Sequence, residues 1–399
     1  GQINVGAGSG YTHAAGTLNV SGSGVVLTGG AGADAVVTQT GGTINGTGSW
    51  IIFGGSGGPT SGTGNKAIFN LEAGTLNAPT LYVGHHSDME LNQTDGAISV
   101  NVLAVGSDDG YGRYFMKGGT LDVVQRCRMG YKDTATAEFV QSGGSVTFDS
   151  GGWLQIGGEG DASYTINTND GASTLTVGGN LFVAELGSST STFDIEGGTV
   201  SIGGNLSIAK SADAIGTVTQ TGGGVTIASD RAMQFGPGNA TYNLDGGTLK
   251  LANVSFANAA KNLLAFGGGT LEHNGATLMT TAVPVEFKAG GGIIHTPGAG
   301  ADVQLTGPLT GSGSLTKTGD GILTLSGASQ GYTGALDVDG GTLLVNASLA
   351  GSSGASVASG ATLGGTGTIG GLTSIADGGV LATGASIGTL TFGGDLTLA

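Results

Sequence analysis

Side chains able to do chemistry are few and scattered. His85 and His86 stand together with Asp88 close behind, and isolated histidines occur at His13, His273 and His295. Metal-ligating histidines need a fixed geometry, such as two rings one helical turn apart. No such helix is in prospect here, so all five are expected in surface loops. The single cysteine, Cys127, lies between Arg126 and Arg128, with Arg113, Lys117 and Lys132 nearby. Reactive thiols need accessible, electropositive surroundings. Cys127 instead occupies a slot that is apolar wherever else it recurs, so it is expected in the core. The flanking arginines then face outward, pairing with acidic neighbours or, alternatively, meeting an anionic glycan or another partner.

The carboxylates read in a similar way. Gly29-Gly30-Ala31-Gly32-Ala33-Asp34-Ala35-Val36-Val37 fits a calcium-binding nonapeptide, but such sites share ligands between consecutive turns and no second copy follows. Asp88, Asp108 or Asp109, Asp133, Asp161, Asp213 and Asn239 recur in equivalent loops. Local Asx turns are the plain reading and weak calcium binding along an acidic edge the sharper one. Glycoside hydrolysis needs a carboxylate pair flanking the bond. The outward strand positions offer Asp122, Asp194, Glu196 and Asp245, and the slot of the last two is filled elsewhere by Glu72, Lys117 and Thr221. That is a tolerant surface slot. No catalytic, cofactor-binding or metal residue is assigned, and no cofactor is expected. A net charge of −16 excludes nucleic acid as a natural partner. One cysteine in 399 residues excludes a disulfide framework and a multi-cysteine zinc site.

The elements that position these residues repeat. A Gly followed by Thr, Ser or Ala and an aliphatic residue recurs at Gly16, Gly42, Gly74, Gly96, Gly119, Gly144, Gly198 and Gly247, mostly in steps of 22–26 residues. Each unit holds three short segments with period-2 alternation. The first follows the Gly (Leu121/Val123), the second reads apolar-x-apolar (Leu103/Val105, Cys127/Met129), and the third runs up to the next Gly pair (Phe139/Gln141). Alternation closed by Gly at every corner means short strands and tight bends. Gln39, Gln93, Gln141 and Gln220 fall on the inward side of the third segment, where paired amides are tolerable. Phe69, Tyr114, Phe139, Phe193 and Tyr242 fall two positions earlier, as an interior aromatic column.

Three strands per unit describe one coil of a solenoid, which buries its apolar face only by stacking on its neighbours. The fold class is therefore all-β: a right-handed parallel β-helix of roughly 16 coils with three short strands per coil. Residues 1–265 form an array of 22–27-residue coils, and residues 266–399 continue it in shorter units. The Gly-free run 248–266 between them reads as either a short helix or a long strand. No run of apolar residues is long enough for a membrane-spanning helix.

In the second region, Leu315, Lys317, Gly319, Gly321, Leu323, Leu325, Ser326, Gly327, Tyr332, Gly334, Gly340, Gly341, Thr342, Leu343 and Val345 form a pattern over residues 313–346. It resembles the autotransporter-associated β-strand repeat of Gram-negative passenger domains. Residues 385–399 look like the segment that often follows it, with Thr383-Gly384 in place of the usual Pro-Gly. The resemblance implies export, display at a Gram-negative-type cell surface and a right-handed β-helix, and supplies no catalytic residues. The translocator of that family is then a removed or separate segment.

The expected function is a non-enzymatic extracellular structural or adhesive β-solenoid. A glycan-binding or polysaccharide-degrading module is the alternative, with loop 53–66 and the basic stretch 113–132 as its candidates. A start at Gly1 without Met or an apolar leader fits a processed or trimmed product. Gly1–Gly6 and Asp395–Ala399 both read as strand, so the two ends are expected to stack head to tail into a fibre, since a heterologous contact of that kind need not close.

Overall fold

A computed structural model describes residues 3–399 apart from 7, 22–24, 28–33, 49, 54–65, 133, 299 and 383–387. The nonapeptide segment 29–33, most of loop 53–66, Asp133, Gly1-Gln2 and Thr383-Gly384 lie outside the described residues. The chain is an all-β parallel β-solenoid of about 15 turns with three to four parallel sheets. No helix occurs among the described residues, and none is long and apolar enough to cross a membrane. By its internal contacts the chain divides into two units, Gly1–Val218 and Thr219–Ala399.

In the first unit one sheet collects the third strands, including Ala67–Leu71, Asp88–Gln93, Tyr111–Met116, Thr136–Gln141 and Asp161–Ile166. They pair in parallel, each residue over its counterpart in the next coil, as in Leu91 on Tyr114 and Tyr114 on Phe139. First and second strands share the other sheet. In three coils they run together as Thr75–His85, Ala97–Ser107 and Thr120–Tyr131. The register slips between Val100 and Val102, whose partners are Val123 and Arg126. The bulge bends the strand where other coils use a Gly turn. From Gly144–Phe148 and Trp153–Ile156 onward the two strands are separate. Inward slots stack like on like: Leu81, Leu103, Cys127, Leu154, Leu181 and Leu206 are all buried.

In the second unit the run 248–266 resolves as the strands Thr248–Leu251, Val254–Phe256 and Asn262–Phe266. Alternation of Leu249/Leu251 and Leu264/Phe266 into the core decides for strand, so the helical alternative falls. A further sheet opens with Met279–Thr281 and continues through Val303–Leu305, Ile322–Leu325 and Thr342–Val345.

Glycine holds the coils together where a side chain has no room. Gly119 has φ 76°, and a Cβ there would sit 2.2 Å from the Gly96 carbonyl oxygen of the previous coil. That carbonyl accepts the Thr120 amide at 2.9 Å, so the corner is also a rung of the ladder.

Candidate functional site

Inside the corners, buried polar side chains hold backbone carbonyls. The Gln39, Gln93, Gln141 and Gln220 amides are fully buried, as the alternation requires. Each donates through Nε2 to the Gly carbonyl three residues on and to a Thr carbonyl in the following coil; for Gln141 these are Gly144 and Thr174, both at 3.0 Å. The Oε1 atoms of Gln93, Gln141 and Gln220 accept the phenols of Tyr114, Tyr164 and Tyr242 from the next coil. The aromatic column stacks as expected and includes Tyr164, whose strand is not closed by the usual Gly pair: Phe139 and Tyr164 lie face to face at 4.6 Å. Burial pushes the phenol pKa values of Tyr114, Tyr164 and Tyr242 well above the ordinary range, so these hydroxyls serve as donors.

In the second unit other residues take the same role. Lys317 is fully buried, and its Nζ donates to the carbonyls of Thr318, Gly319 and Gly340 at 2.9, 2.7 and 3.1 Å. Burial lowers its pKa to about 8, against the raising influence of Asp320 and Asp302. Two histidines also differ from expectation. His13 and His273 are buried, not in surface loops, because His13 occupies the glutamine slot opposite Gln39 and His273 the apolar slot opposite Leu251. His273 donates through Nε2 to the Thr277 carbonyl at 2.7 Å. His295 is half-buried, its Nδ1 3.0 Å from the Thr318 hydroxyl.

The outer face of the second strands carries a groove of about 360 Å³ lined by Arg128, Tyr131, Trp153, Gln155, Phe182 and Glu185, among others. Of its aromatic rings, Phe182 faces outward because it sits between the inward Leu181 and Val183, and Trp153 because it stands beside the inward Leu154. The Arg128 guanidinium lies 4.6 Å from the Tyr131 ring centre and 5.6 Å from that of Trp153. Trp153 meets Phe182 edge to face at 6.2 Å. Lys210 lies 4.7 Å from the Phe182 ring centre and pairs with Glu185 at 2.7 Å, and Glu185 also accepts the Gln155 amide. Arg126 and Arg128 form no ion pair among the described residues. The acidic neighbours expected for them are absent there, because the facing slots on the flanking coils hold Val102 and Trp153, and Ala104 and Gln155. Sequence reasoning placed the arginines correctly but missed the outward Trp153, Phe182 and Tyr131. Of the three, only Phe182 left a signal in the second-strand pattern, standing between the inward Leu181 and Val183.

A second polar cluster sits on the turns after the second strands. Asp108 Oδ2 lies 3.0 Å from His85 Nδ1 and 3.9 Å from His86 Nε2, while its Oδ1 is 2.9 Å from Lys132 Nζ. Asp109 bonds His86 Nδ1, and the Ser107 hydroxyl is 2.9 Å from His85 Nδ1. Burial, reinforced by the His86 charge, lowers the His85 pKa. Asp108 is held below the usual carboxylate range by the Lys132 hydrogen bond and the His85 charge, which outweigh its desolvation. The histidines therefore meet Asp108 and Asp109 of the next coil instead of Asp88 of their own.

Of the other acids on the expected edge, Asp161 turns to the next coil's backbone instead of its own, and Asp34, which lies outside that edge, does the same. Asp34 Oδ1 accepts the Lys66 amide and Asp161 Oδ1 the Thr190 amide, each at 2.7 Å. Asp245 pairs with Lys288 at 2.8 Å. Asp122 carries a raised pKa from partial burial and the nearby Asp149 charge. Cys127 is buried and its thiol pKa is pushed up by burial alone.

Comparison with known proteins agrees with the resemblance read from the sequence. Residues 315–345 match the passenger-associated-transport-repeat family. Over 114 residues the chain is 32% identical to the adhesin BmaC autotransporter of Brucella suis biovar 1 (strain 1330), a match that covers 29% of this chain and 3% of that protein. No solved structure matches. The chain thus carries a passenger-type repeat on a β-solenoid and is distantly similar to an autotransporter adhesin.

Proposed function

We propose that this solenoid is an exported, surface-displayed passenger segment of a Gram-negative-type bacterium, acting as a non-enzymatic adhesive element, and that it makes contact through the Arg128 groove with an acidic saccharide. The observation that carries this reading is the set of outward aromatic faces around the Arg128 guanidinium, which has no ion pair among the described residues. In a chain with 28 acidic and 12 basic residues, the Arg128 charge beside Tyr131 and Trp153 suits a sugar ring bearing a carboxylate or sulfate. The ring stacks on the aromatic face, and the anion takes the planar guanidinium fork. Retention of the purified chain on immobilised polygalacturonate or alginate tests it, with dextran as the neutral control. Retention should fall at least tenfold in Arg128→Ala and Trp153→Ala. Equal retention of those variants overturns the groove reading, and turnover of the polysaccharide that depends on Asp122 or Glu185 overturns the non-enzymatic one.

A further inference from the structure

The turn cluster has the layout of a metal site, and we propose that His85, His86 and Asp108 bind one divalent first-row ion of the zinc class. The three donor atoms lie within 4.8 Å of one another. Zinc held at ~2.0–2.1 Å by nitrogen and oxygen puts neighbouring ligands about 3.4 Å apart in a tetrahedron. The separations of Asp108 Oδ2 from His85 Nδ1 and His86 Nε2, 3.0 and 3.9 Å, bracket that value. A ligating imidazole normally gives its other nitrogen to a carboxylate, which fixes ring and tautomer. Asp109 already holds His86 Nδ1 and so aims Nε2 at Asp108.

The backbone holds the donors in place. His86 and Asp108 both have left-handed φ, 53° and 59°, on stacked turns that follow Gly84 and Gly106, themselves at 76° and 63°. Both turns are anchored to strand ends, and the Asp108 amide bonds the Tyr131 carbonyl of the next coil at 3.0 Å. The half-exposed rings leave room for a water as the fourth ligand. Calcium is the wrong class, since it takes six to eight oxygens and two of these donors are imidazole nitrogens. Lys132 opposes the cation: its ammonium occupies Asp108 Oδ1 and repels a second positive charge. This site is independent of the adhesive reading.

Titration of the tag-free chain with Zn²⁺, and with Co²⁺ followed by its visible absorption, tests the proposal. One equivalent should bind, with the intense Co²⁺ bands of four- or five-coordination. His85→Ala and His86→Asn should abolish it, Asn being chosen because it tolerates the left-handed turn. Asp109→Asn should weaken binding about tenfold or more through the lost outer contact. Lys132→Gln should tighten it, a gain that misfolding cannot produce. A Co²⁺ spectrum of the six-coordinate aqua ion, unchanged affinity in His86→Asn, or no tightening in Lys132→Gln overturns the site.

Discussion

Gln39 shows what a single missing oxygen means in this core. It donates like the other column glutamines, to Gly42 at 3.2 Å and Thr75 at 3.0 Å, yet its buried Oε1 has no partner among the described residues. The next coil places Phe69 where the coils above Gln93, Gln141 and Gln220 place Tyr114, Tyr164 and Tyr242. A buried acceptor left unpaired costs about 1–3 kcal/mol. Phe69→Tyr should therefore raise stability by about 1 kcal/mol, read as a higher denaturant midpoint at unchanged slope, and a lower midpoint would show that the slot has no room for the hydroxyl. Lys317 makes the opposite prediction, one of pH. Its folded pKa, about 8, lies below the ordinary lysine value of 10.5. Between those values the unfolded chain keeps the proton and the folded chain has lost it, so the contribution of Lys317 to stability rises with pH. Below pH ~8 its cost is constant. The stability of the native chain minus that of Lys317→Met should climb by about 2 kcal/mol from pH ~8 to ~9.5, and a flat difference would contradict the shift. The inward glutamines and Cys127 were legible in the sequence because alternation alone fixes which side of a strand a residue takes. His13 and His273 were not, since polarity suggested loops while their strand slots pointed inward.

At the level of the coil, the strands and their Gly corners were readable because each repeats the same period-2 pattern and the same break. What the pattern does not carry is the partner across the stack. His86 and Asp109 are 23 positions apart, and their meeting follows only once one coil is laid on the next in register. Tyr164 keeps the 25-residue step of the column, but Asn167-Thr168-Asn169 follows its strand where other coils have a Gly pair, so the break that marks the slot is missing. Outward residues leave the weakest trace, since any side chain fits there, and so the Trp153 groove had to be seen folded. The corners also differ among themselves in a way that sequence does not show. Gly119 and Gly151 both have positive φ, 76° and 86°, but a Cβ at Gly119 meets the Gly96 carbonyl whereas one at Gly151 meets nothing within 4 Å. Gly151→Ala should cost only the left-handed strain, about 1 kcal/mol. Gly119→Ala adds a backbone clash and a broken rung, and should cost at least ~3 kcal/mol. Thermal or denaturant melts of the two variants separate the contributions, and equal losses would mean that strain alone governs the corner.

Over the whole chain, stability is a sum of coil terms and contacts between neighbours, as in other solenoids. Nearly every long-range hydrogen bond described above links adjacent coils, whether through a Gly corner, a glutamine amide or an acidic cap. Few charged groups, 10% of the residues, act beyond that range, and a net charge of −16 spreads repulsion without choosing a site. A defect should therefore be felt locally. Gly119→Ala strikes the first unit, Gly1–Val218, while the passenger-type repeat at residues 315–345 belongs to the second, Thr219–Ala399. Amide exchange in the variant should speed up in the strands Ala97–Ser107, Thr120–Tyr131 and Gly144–Phe148, which pair across the damaged corner. The strands Leu315–Thr318 and Thr342–Val345 should keep their native protection, since no rung connects them to the lesion. Peptide-resolved exchange below the melting temperature reads both regions in one experiment. Protection falling equally in both would mean that the chain opens as one cooperative body and that nearest-neighbour stacking is not what sets its stability.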